Sequence, residues 1–515
     1  MKLLKNILLL MLLSSSTDLL LAQEIAGTAN TQRITYITGK VDKKVKHDSI
    51  LLVLQGPFFS YGTMHPEQFS PGTLKTIVNK DGEFKFKIIT VNSPFHISLY
   101  ISDKRDTTFG LLNSCGDIDK YLIEAGDSVH IAFATSSRTF TGKGAALFQT
   151  QYQVEQADKD RKELMSDPTD ALHHNVKHWL ARKDSLLNVK LNVLSLNKLE
   201  LSSTSYNIVR GDIISDNRFA VYNLLYSCLP LFATQGKIPP DFAVVFDELK
   251  GRPDYIDHAD RAALSPKYVD YLYNKLRFEA KYKLLLDSPS THFDHNLCND
   301  INEQFDGLLR DKLLAWWLYD VNSLNRLQPE YLANALSVMK TPNFIEMAEE
   351  LKAVFAQGQP ITDYDFKDAK GRTVHLADFK GKVVLVDFWF SGCGGCINVA
   401  KGLPKVEEAF KGRNDVVFVS MSIDKNKNKW LRSISSKPTG IYYTHYTTPT
   451  TVYLYTGGTA GNNPFIKKYV PLGAYPFLLL IDKGGKVFSS TPPRPVGEQN
   501  QLALIKEIKR ALDTR

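Results

Sequence analysis

Apolar and polar residues alternate in three different rhythms along this chain, and each rhythm predicts a different kind of element. Between about 33 and 145 the rhythm is that of strands. Ile34, Tyr36 and Val41 flank a glycine, and Ile50 to Leu54 is a short apolar run. Phe84, Phe86 and Ile88 alternate strictly behind a turn at Asn79-Lys-Asp-Gly82, and Ile97, Leu99 and Ile101 alternate again. Tyr121-Leu-Ile123 then turns at Gly126-Asp127 into Val129-His-Ile131. Short strands set apart by turn residues predict a small antiparallel sandwich. From about 146 to 357 the spacing becomes helical. Ser265-Pro266 supplies an N-cap and a first-turn proline, after which Val269, Leu272, Tyr273, Leu276 and Ala280 share one face. Thr341-Pro342 repeats the device ahead of Ile345, Ala348, Leu351 and Phe355, and Gly358 closes that helix. Leu309, Leu313, Trp316 and Trp317 mark another helix, and these aromatic stripes read as core. No solenoid period runs through the segment.

After a linker at Gln357-Gly-Gln-Pro-Ile361 the grammar changes to α/β. Val383-Val-Leu-Val-Asp-Phe-Trp389, Val416-Val-Phe-Val419 and Phe477-Leu-Leu-Leu-Ile481 are continuous apolar runs of the kind that fill buried strands. Asp482-Lys-Gly-Gly-Lys486 turns into an antiparallel edge strand at Val487-Phe488, and about 498 to 513 forms an amphipathic helix. Thr447 to Asn463, rich in Thr, Tyr and Gly, reads as a loop near the cysteines discussed below.

At 515 residues the chain has room for about three domains. It is 43% apolar and 23% charged, which excludes wholesale disorder, and five cysteines are too few for a disulfide scaffold. The first 22 residues have the form of a cleaved signal peptide. Lys2 and Lys5 open it, Ile7 to Leu13 is unbroken and apolar, and Leu20-Leu-Ala22 offers a cleavage site. A spanning helix needs ~20 apolar residues, and Ser14 to Asp18 interrupts this one. The expected mature protein is therefore exported to the periplasm or cell envelope, without stable membrane insertion. The net charge of +8 is too mild over this length to argue for nucleic acid.

Cys393-Gly-Gly-Cys396 follows a buried strand and opens a segment that can be helical through Val399, Leu403, Val406 and Phe410. The N-terminus of a helix offers unpaired N–H groups and a positive dipole end, which stabilise a thiolate. Two intervening residues let the second sulfur reach the first. Cys393, nearer the helix start and the solvent, is expected to attack, and Cys396 to resolve. A haem attachment site would need histidine where Ile397 stands, and structural zinc would need a second ligand pair that the sequence does not offer. A peroxidatic cysteine would want a proline upstream, which Val386 to Ser391 does not provide.

The stretch Val383 to Cys396, VVLVDFWFSGCGGC, resembles the active-site strand and turn of the thioredoxin superfamily. Asp365-Phe-Lys-Asp-Ala-Lys-Gly-Arg-Thr-Val-His-Leu ahead of it, and the exported setting, resemble the TlpA/ResA-like branch of extracytoplasmic thiol–disulfide oxidoreductases. The resemblance covers about 150 residues, and it implies a C-terminal thioredoxin fold over 358–515. With the patterns above, this gives a multidomain fold class: signal peptide 1–22, antiparallel β-sandwich 30–145, all-α region 146–357, and the α/β thioredoxin-like domain. It implies that Asp387, six positions before Cys393, is the buried acid that relays the proton of the deeper thiol. It implies a cis-proline at Pro476 facing the cysteines, with the backbone of Tyr475 pairing with an extended substrate; Trp389 is counted with these two as substrate-binding. Three positions depart from the family. Gly392 replaces the usual tryptophan, Gly394-Gly395 lacks the stiffening proline, and Lys401 stands where a helix-kinking proline is common, with Pro404 three residues later. The front of the chain, including Tyr121-Leu-Ile-Glu-Ala-Gly-Asp127, resembles domains of unknown role found ahead of such modules in Gram-negative envelopes.

The expected activity is thiol–disulfide exchange with cysteine-containing exported proteins, read as reduction of their disulfides with the oxidising direction left open and no cofactor needed; the resemblance implies a membrane thiol donor for recycling. Two other readings stand beside it: an envelope interaction protein whose thioredoxin-like domain is a scaffold or redox lock, and a thiol peroxidase. Cys115, Cys228 and Cys298 can pair once and leave a thiol over, or all stay free. His173, His174 and His178 read as a solvated helix face rather than metal ligands, for want of acidic or cysteine neighbours.

Overall fold

The computed structural model describes residues 33–41, 49–54, 72–90, 94–102, 118–134, 137–159, 176–235, 238, 240–250, 263–287, 293–323, 326–355, 357–435, 451–470 and 473–514. The signal-peptide reading falls outside these residues. The chain divides into two compact units, with the boundary between Phe278 and Glu279.

The first unit begins with eight strands: β1 (Arg33–Val41), β2 (Ser49–Leu54), β3 (Gly72–Ile77), β4 (Glu83–Thr90), β5 (Phe95–Ser102), β6 (Ile118–Ile123), β7 (Ser128–Phe133) and β8 (Arg138–Lys143). They form two four-stranded sheets, ordered β4-β1-β7-β8 and β3-β2-β5-β6. Alternation decides the packing. Phe84, Phe86 and Ile88 point inward from β4, meeting Ile50, Leu52, Ile97 and Leu99 of the other sheet in one buried cluster. The expected sandwich needs one correction. Every pairing is antiparallel except β1 with β7, which run parallel from Tyr36 beside Ser128 to Val41 beside Phe133. With β2, β3, β5 and β6 in the other sheet, the chain returns to β1 from across the sandwich and need not reverse against it.

Five helices follow: α1 (Ala145–Lys159), α2 (Val176–Leu196), α3 (Ser203–Gln235), α4 (Pro240–Lys250) and α5 (Pro266–Asp287), the last running across the unit boundary. Ser265 caps α5, its hydroxyl accepting from the Tyr268 N–H at 3.1 Å. The same hydroxyl donates to Asp212 on α3, whose other oxygen lies 2.7 Å from His96 Nε2 on β5. Burial pushes the Asp212 carboxyl up, but His96, Lys267 and the Ser265 hydroxyl together outweigh this and leave it below its ordinary value. This buried cluster therefore ties sandwich to helices, since each member would be costly to bury alone.

The second unit starts with the end of α5 and continues through α6 (Phe293–Gln304), α7 (Gly307–Ser323), α8 (Pro329–Val338) and α9 (Pro342–Phe355). Asp311 on α7 accepts from the backbone N–H groups of Lys340 and Thr341 at 2.8 and 2.7 Å, fixing the start of α9. A seven-stranded sheet then follows: β9 (Asp365–Asp368), β10 (Thr373–His375), β11 (Val383–Trp389), β12 (Val416–Ser422), β13 (Val452–Tyr455), β14 (Phe477–Ile481) and β15 (Val487–Ser489). Its order is β10-β9-β13-β12-β11-β14-β15, with β11, β12 and β13 parallel and the other neighbours antiparallel. All seven residues of β11 are buried, which explains its unbroken apolar pattern. Helices α10 (Gly394–Glu408) and α13 (Glu498–Leu512) cover one face through Val399, Leu403, Leu504 and Ile508. Two shorter helices, α11 (Lys427–Ser433) and α12 (Pro464–Tyr469), complete the fold.

Two expectations change here. The Thr- and Gly-rich stretch before Asn463 is not simply a loop, because its residues 452–455 form β13 between β12 and β9. The linker at 357–361 is fastened to the sheet edge: Gly358 N donates to Val487 O at 2.8 Å, and Ile361 N to Gly485 O at 2.9 Å. Among the described residues, no helix is long and apolar enough to cross a membrane.

Candidate active site

The central strand β11 delivers the chain to the site, and a buried polar cluster fixes the turn that follows. Ser391 donates its N–H to Asp424 Oδ1 at 3.1 Å and its hydroxyl to Asp424 Oδ2 at 2.7 Å, while Ser422 donates to Oδ2 at 2.9 Å. Ser433 lies 2.6 Å from the Ser391 hydroxyl. Burial holds the Asp424 carboxyl above its ordinary range against these donors. Sequence reading missed this cluster; its signal was three hydroxyl or carboxyl residues at the ends of otherwise apolar strands. Gly392 follows with φ +95°, a conformation strained for any residue with a side chain. A tryptophan at this place would need a different turn.

Cys393 is the N-cap of α10, and its sulfur accepts from the Cys396 N–H at 3.1 Å. The two sulfurs form a disulfide. Cys396 is 0% exposed and Cys393 only 1%, so the expectation that Cys393 lies nearer the solvent does not hold for this oxidised state. The glycines between them are exposed.

The Tyr475–Pro476 bond is cis. Pro476 faces the cysteine turn: a Cβ added to Gly395 would stand 2.9 Å from Pro476 Cδ, whereas one on Gly394 would meet nothing. This gives the two glycines different duties. Gly394→Ala is expected to leave turnover within about twofold and stability unchanged, by analogy with exposed substitutions that touch nothing. Gly395→Ala must move the proline ring, at a cost of about 1–3 kcal/mol, and should slow exchange. Paired thermal unfolding and turnover measurements check this, and equal behaviour of the two variants would contradict it.

Tyr475 is buried, with its ring edge-on to Phe390 at 5.9 Å, and burial raises its hydroxyl well above the ordinary phenol range. Trp389 is 0% exposed, and its indole N–H donates to Ser420 Oγ at 2.6 Å. Its assignment as a substrate contact is therefore corrected: this ring is part of the sheet's packing. A strand buried on both faces gives no sequence clue to which way its last aromatic turns.

Asp387 sits in β11, in register with Ser420 of β12 and Leu478 of β14. It is buried, and Oδ1 has no hydrogen-bond partner among the described residues. Burial pushes its carboxyl up to about 7, with Arg494 pulling the other way. Arg494, from Thr491-Pro-Pro-Arg-Pro495 after β15, donates through Nη2 to the Pro476 carbonyl. Burial lowers its guanidinium to about 10, opposed by Asp387. Sequence reading passed over this arginine, because a proline-rich stretch between elements carries no local sign of what it touches.

Elsewhere the chemistry is thin. Cys228 and Cys298 are buried thiols, pushed up by burial to about 11 and about 12, so they remain protonated at neutral pH. Cys115, His173 and His174 fall outside the described residues, and His178 is exposed. No group of three or more His, Cys, Asp or Glu residues that could hold a metal occurs among the described residues.

A disulfide at the N-terminus of a helix, its turn facing a cis-proline and preceded by a buried strand that carries an acid, defines the C-terminal part of this chain as a thioredoxin-like domain with a dithiol–disulfide centre. Residues 356–494 match the profile of the Redoxin family, and this stretch is a redoxin domain. The thioredoxin-like protein YneN of Bacillus subtilis (strain 168) is 24% identical over 110 residues, which are 21% of this chain and 65% of that protein. The match thus spans less than two thirds of that relative's length. Among solved structures, the thioredoxin domain of a thiol–disulfide oxidoreductase from Bacteroides vulgatus is 23% identical, with TM-score 0.25, covering 31% of this chain and 99% of that one. A thiol:disulfide interchange protein from Bacteroides sp. is 24% identical, with TM-score 0.24, covering 31% and 93%.

Proposed function

We propose that the chain is an exported thiol–disulfide oxidoreductase that reduces disulfides of other envelope proteins. The observation that carries this reading is the Cys393–Cys396 disulfide at the N-terminus of α10, its turn facing cis-Pro476 at Gly395. In the reduced enzyme the Cys393 thiolate attacks one sulfur of the target disulfide, forming a mixed disulfide and expelling the first target thiolate. Asp387 takes the proton of Cys396. The Cys396 thiolate then attacks Cys393 Sγ, closing the disulfide seen here and expelling the second thiolate. Two electrons pass from the dithiol to the target, and a membrane-bound thiol donor returns them. The basic, apolar leader at 1–22 supports export. The backbone at Tyr475 is the natural place for an extended target segment to pair, because its side chain is buried.

The reduction potential of the couple in defined thiol buffers, read by alkylation and mass, tests the direction. A value near or below about −250 mV is expected, at the thioredoxin end of the scale. A value above about −180 mV would mark an oxidase or isomerase. A couple that never equilibrates with dithiol, giving no turnover of a model disulfide, would leave the domain a scaffold or lock.

A further inference from the structure

The segment joining β15 to α13 is built as a strap across the redox centre. Thr491 to Pro495 contains three prolines, which restrict its backbone, and Val496 N closes a tight turn onto Arg494 O at 2.7 Å. On one side the Pro495 carbonyl lies directly against Gly402 of α10, so close that a Cβ at Gly402 would collide with it. On the other side the Arg494 guanidinium donates to the Pro476 carbonyl. One short segment thus touches both the helix that carries the cysteines and the loop that carries the cis-proline.

We propose that Arg494 is the positioning residue of this centre: it clamps the cis-proline loop through the Pro476 carbonyl, two residues before the Leu478 that lies in register with Asp387, and so holds a positive charge near that carboxyl. The placement supports both halves. A half-buried guanidinium needs acceptors, and Arg494 finds one in the Pro476 carbonyl. The carbonyl it holds lies two residues before Leu478, the β14 residue in register with Asp387, which places the guanidinium near that carboxyl; the two groups shift each other in the reciprocal sense expected of neighbouring opposite charges, a smaller effect at Asp387 than burial. On α13, which covers the same face of the sheet, Lys506, Lys509 and Arg510 are exposed, and Glu498 and Glu507 pair with Lys405 and Arg510. Ser420 on β12 and Leu478 on β14 do not titrate in the relevant range. On α10, Cys396 titrates only once the disulfide is open, and the buried Glu407 stands three turns further along that helix.

The consequence for turnover rests on the function proposed above. If Asp387 must be a carboxylate to accept the Cys396 proton, losing the arginine shrinks the competent fraction at pH 7. A tenfold rise in its affinity for the proton would cut a half-ionised group to about one tenth, a ~5-fold loss. The full-length protein tests this as wild type, Arg494→Gln, Arg494→Lys, Asp387→Asn and the Arg494→Gln/Asp387→Asn double variant. In Arg494→Gln the acid limb of mixed-disulfide resolution should move to higher pH, with the rate recovering in alkali. Arg494→Lys keeps the charge and should restore the limb towards wild type. In the Asp387→Asn background, Arg494→Gln should not move it. A uniform loss of rate in both arginine variants at every pH would overturn the electrostatic role, as would an equal shift without Asp387.

The pH dependence of the protonated-carboxyl infrared band that Asp387→Asn abolishes reads the same quantity in the oxidised protein, with no turnover at all. A wild type without oxidoreductase activity would defeat the function. Its infrared band, displaced to higher pH by Arg494→Gln, would still uphold the role of Arg494, and a band that stayed in place would defeat that role separately. For the clamp, Arg494→Gln should quicken hydrogen exchange at Phe477, the residue that follows the anchored carbonyl, by at least tenfold. Unchanged exchange there would overturn it.

Discussion

Cys396→Ser is expected to leave the protein covalently joined to its targets through Cys393, while Cys393→Ser should form no adduct and show no turnover. The asymmetry follows from the two positions. Cys393 is the N-cap of α10, at the end where the helix presents unpaired N–H groups and the positive end of its dipole, and its sulfur already accepts one of those N–H groups from Cys396. These features favour the thiolate, which is the attacking form. Cys396 lies within the first turn of α10, three residues on, where its sulfur reaches Cys393. Removing it leaves the mixed disulfide to wait for an external thiol. Both variants should lose on the order of 10³-fold or more in turnover, as enzymes do when a member of a covalent relay is removed. Non-reducing electrophoresis and intact mass distinguish them. Adducts from Cys393→Ser in place of Cys396→Ser would exchange the two roles, and unchanged turnover in both would end the proposal.

The buried strand, the cysteine turn and the cis-proline were legible in the sequence because they obey strong local constraints. A continuous apolar run at 383–389 can only be a buried strand or helix segment, a carboxylate within it is conspicuous, and a proline opening another such run has few places to go. What stayed hidden depends on return paths of the chain. β13 is four residues long among threonines and glycines, and it becomes a strand because β12 and β9 offer it edges on both sides. The parallel pairing of β1 with β7 depends on β2, β3, β5 and β6 being in the other sheet. Arg494 is eighteen residues beyond Pro476, and only the β14–β15 hairpin brings it back to that carbonyl. Trp389 shows the reverse error: the sequence reading counts it with Tyr475 and Pro476 as substrate-binding, whereas its indole turns to Ser420 within the sheet.

Asp387→Asn should make the oxidised protein more stable at pH 8 and confer no such gain at pH 4. The folded chain holds this carboxyl up to about 7, because burial disfavours the charge more than Arg494 favours it, against an ordinary value of 3.8. In the unfolded chain the group titrates near the ordinary value. Between those limits the native state keeps a proton that the unfolded state has lost, so stability falls as the pH rises through this window. Below it both states are protonated; above it both are ionised and the native state bears the full cost of a buried carboxylate. That cost is at most about 4 kcal/mol. An asparagine removes it and matches the neutral acid in shape. Unfolding of the oxidised wild type and variant at pH 4, 6 and 8 reads the difference directly, and a gain that did not grow with pH would show that the carboxyl is not held neutral. The same substitution should slow resolution of the mixed disulfide by about 10²-fold, the usual worth of a positioned base, while leaving its formation by Cys393 nearly untouched. A residue that weakens the fold at the pH where it works, yet speeds only the step that needs a proton acceptor, is kept for its chemistry. Equal slowing of both steps would instead assign Asp387 to the packing of β11.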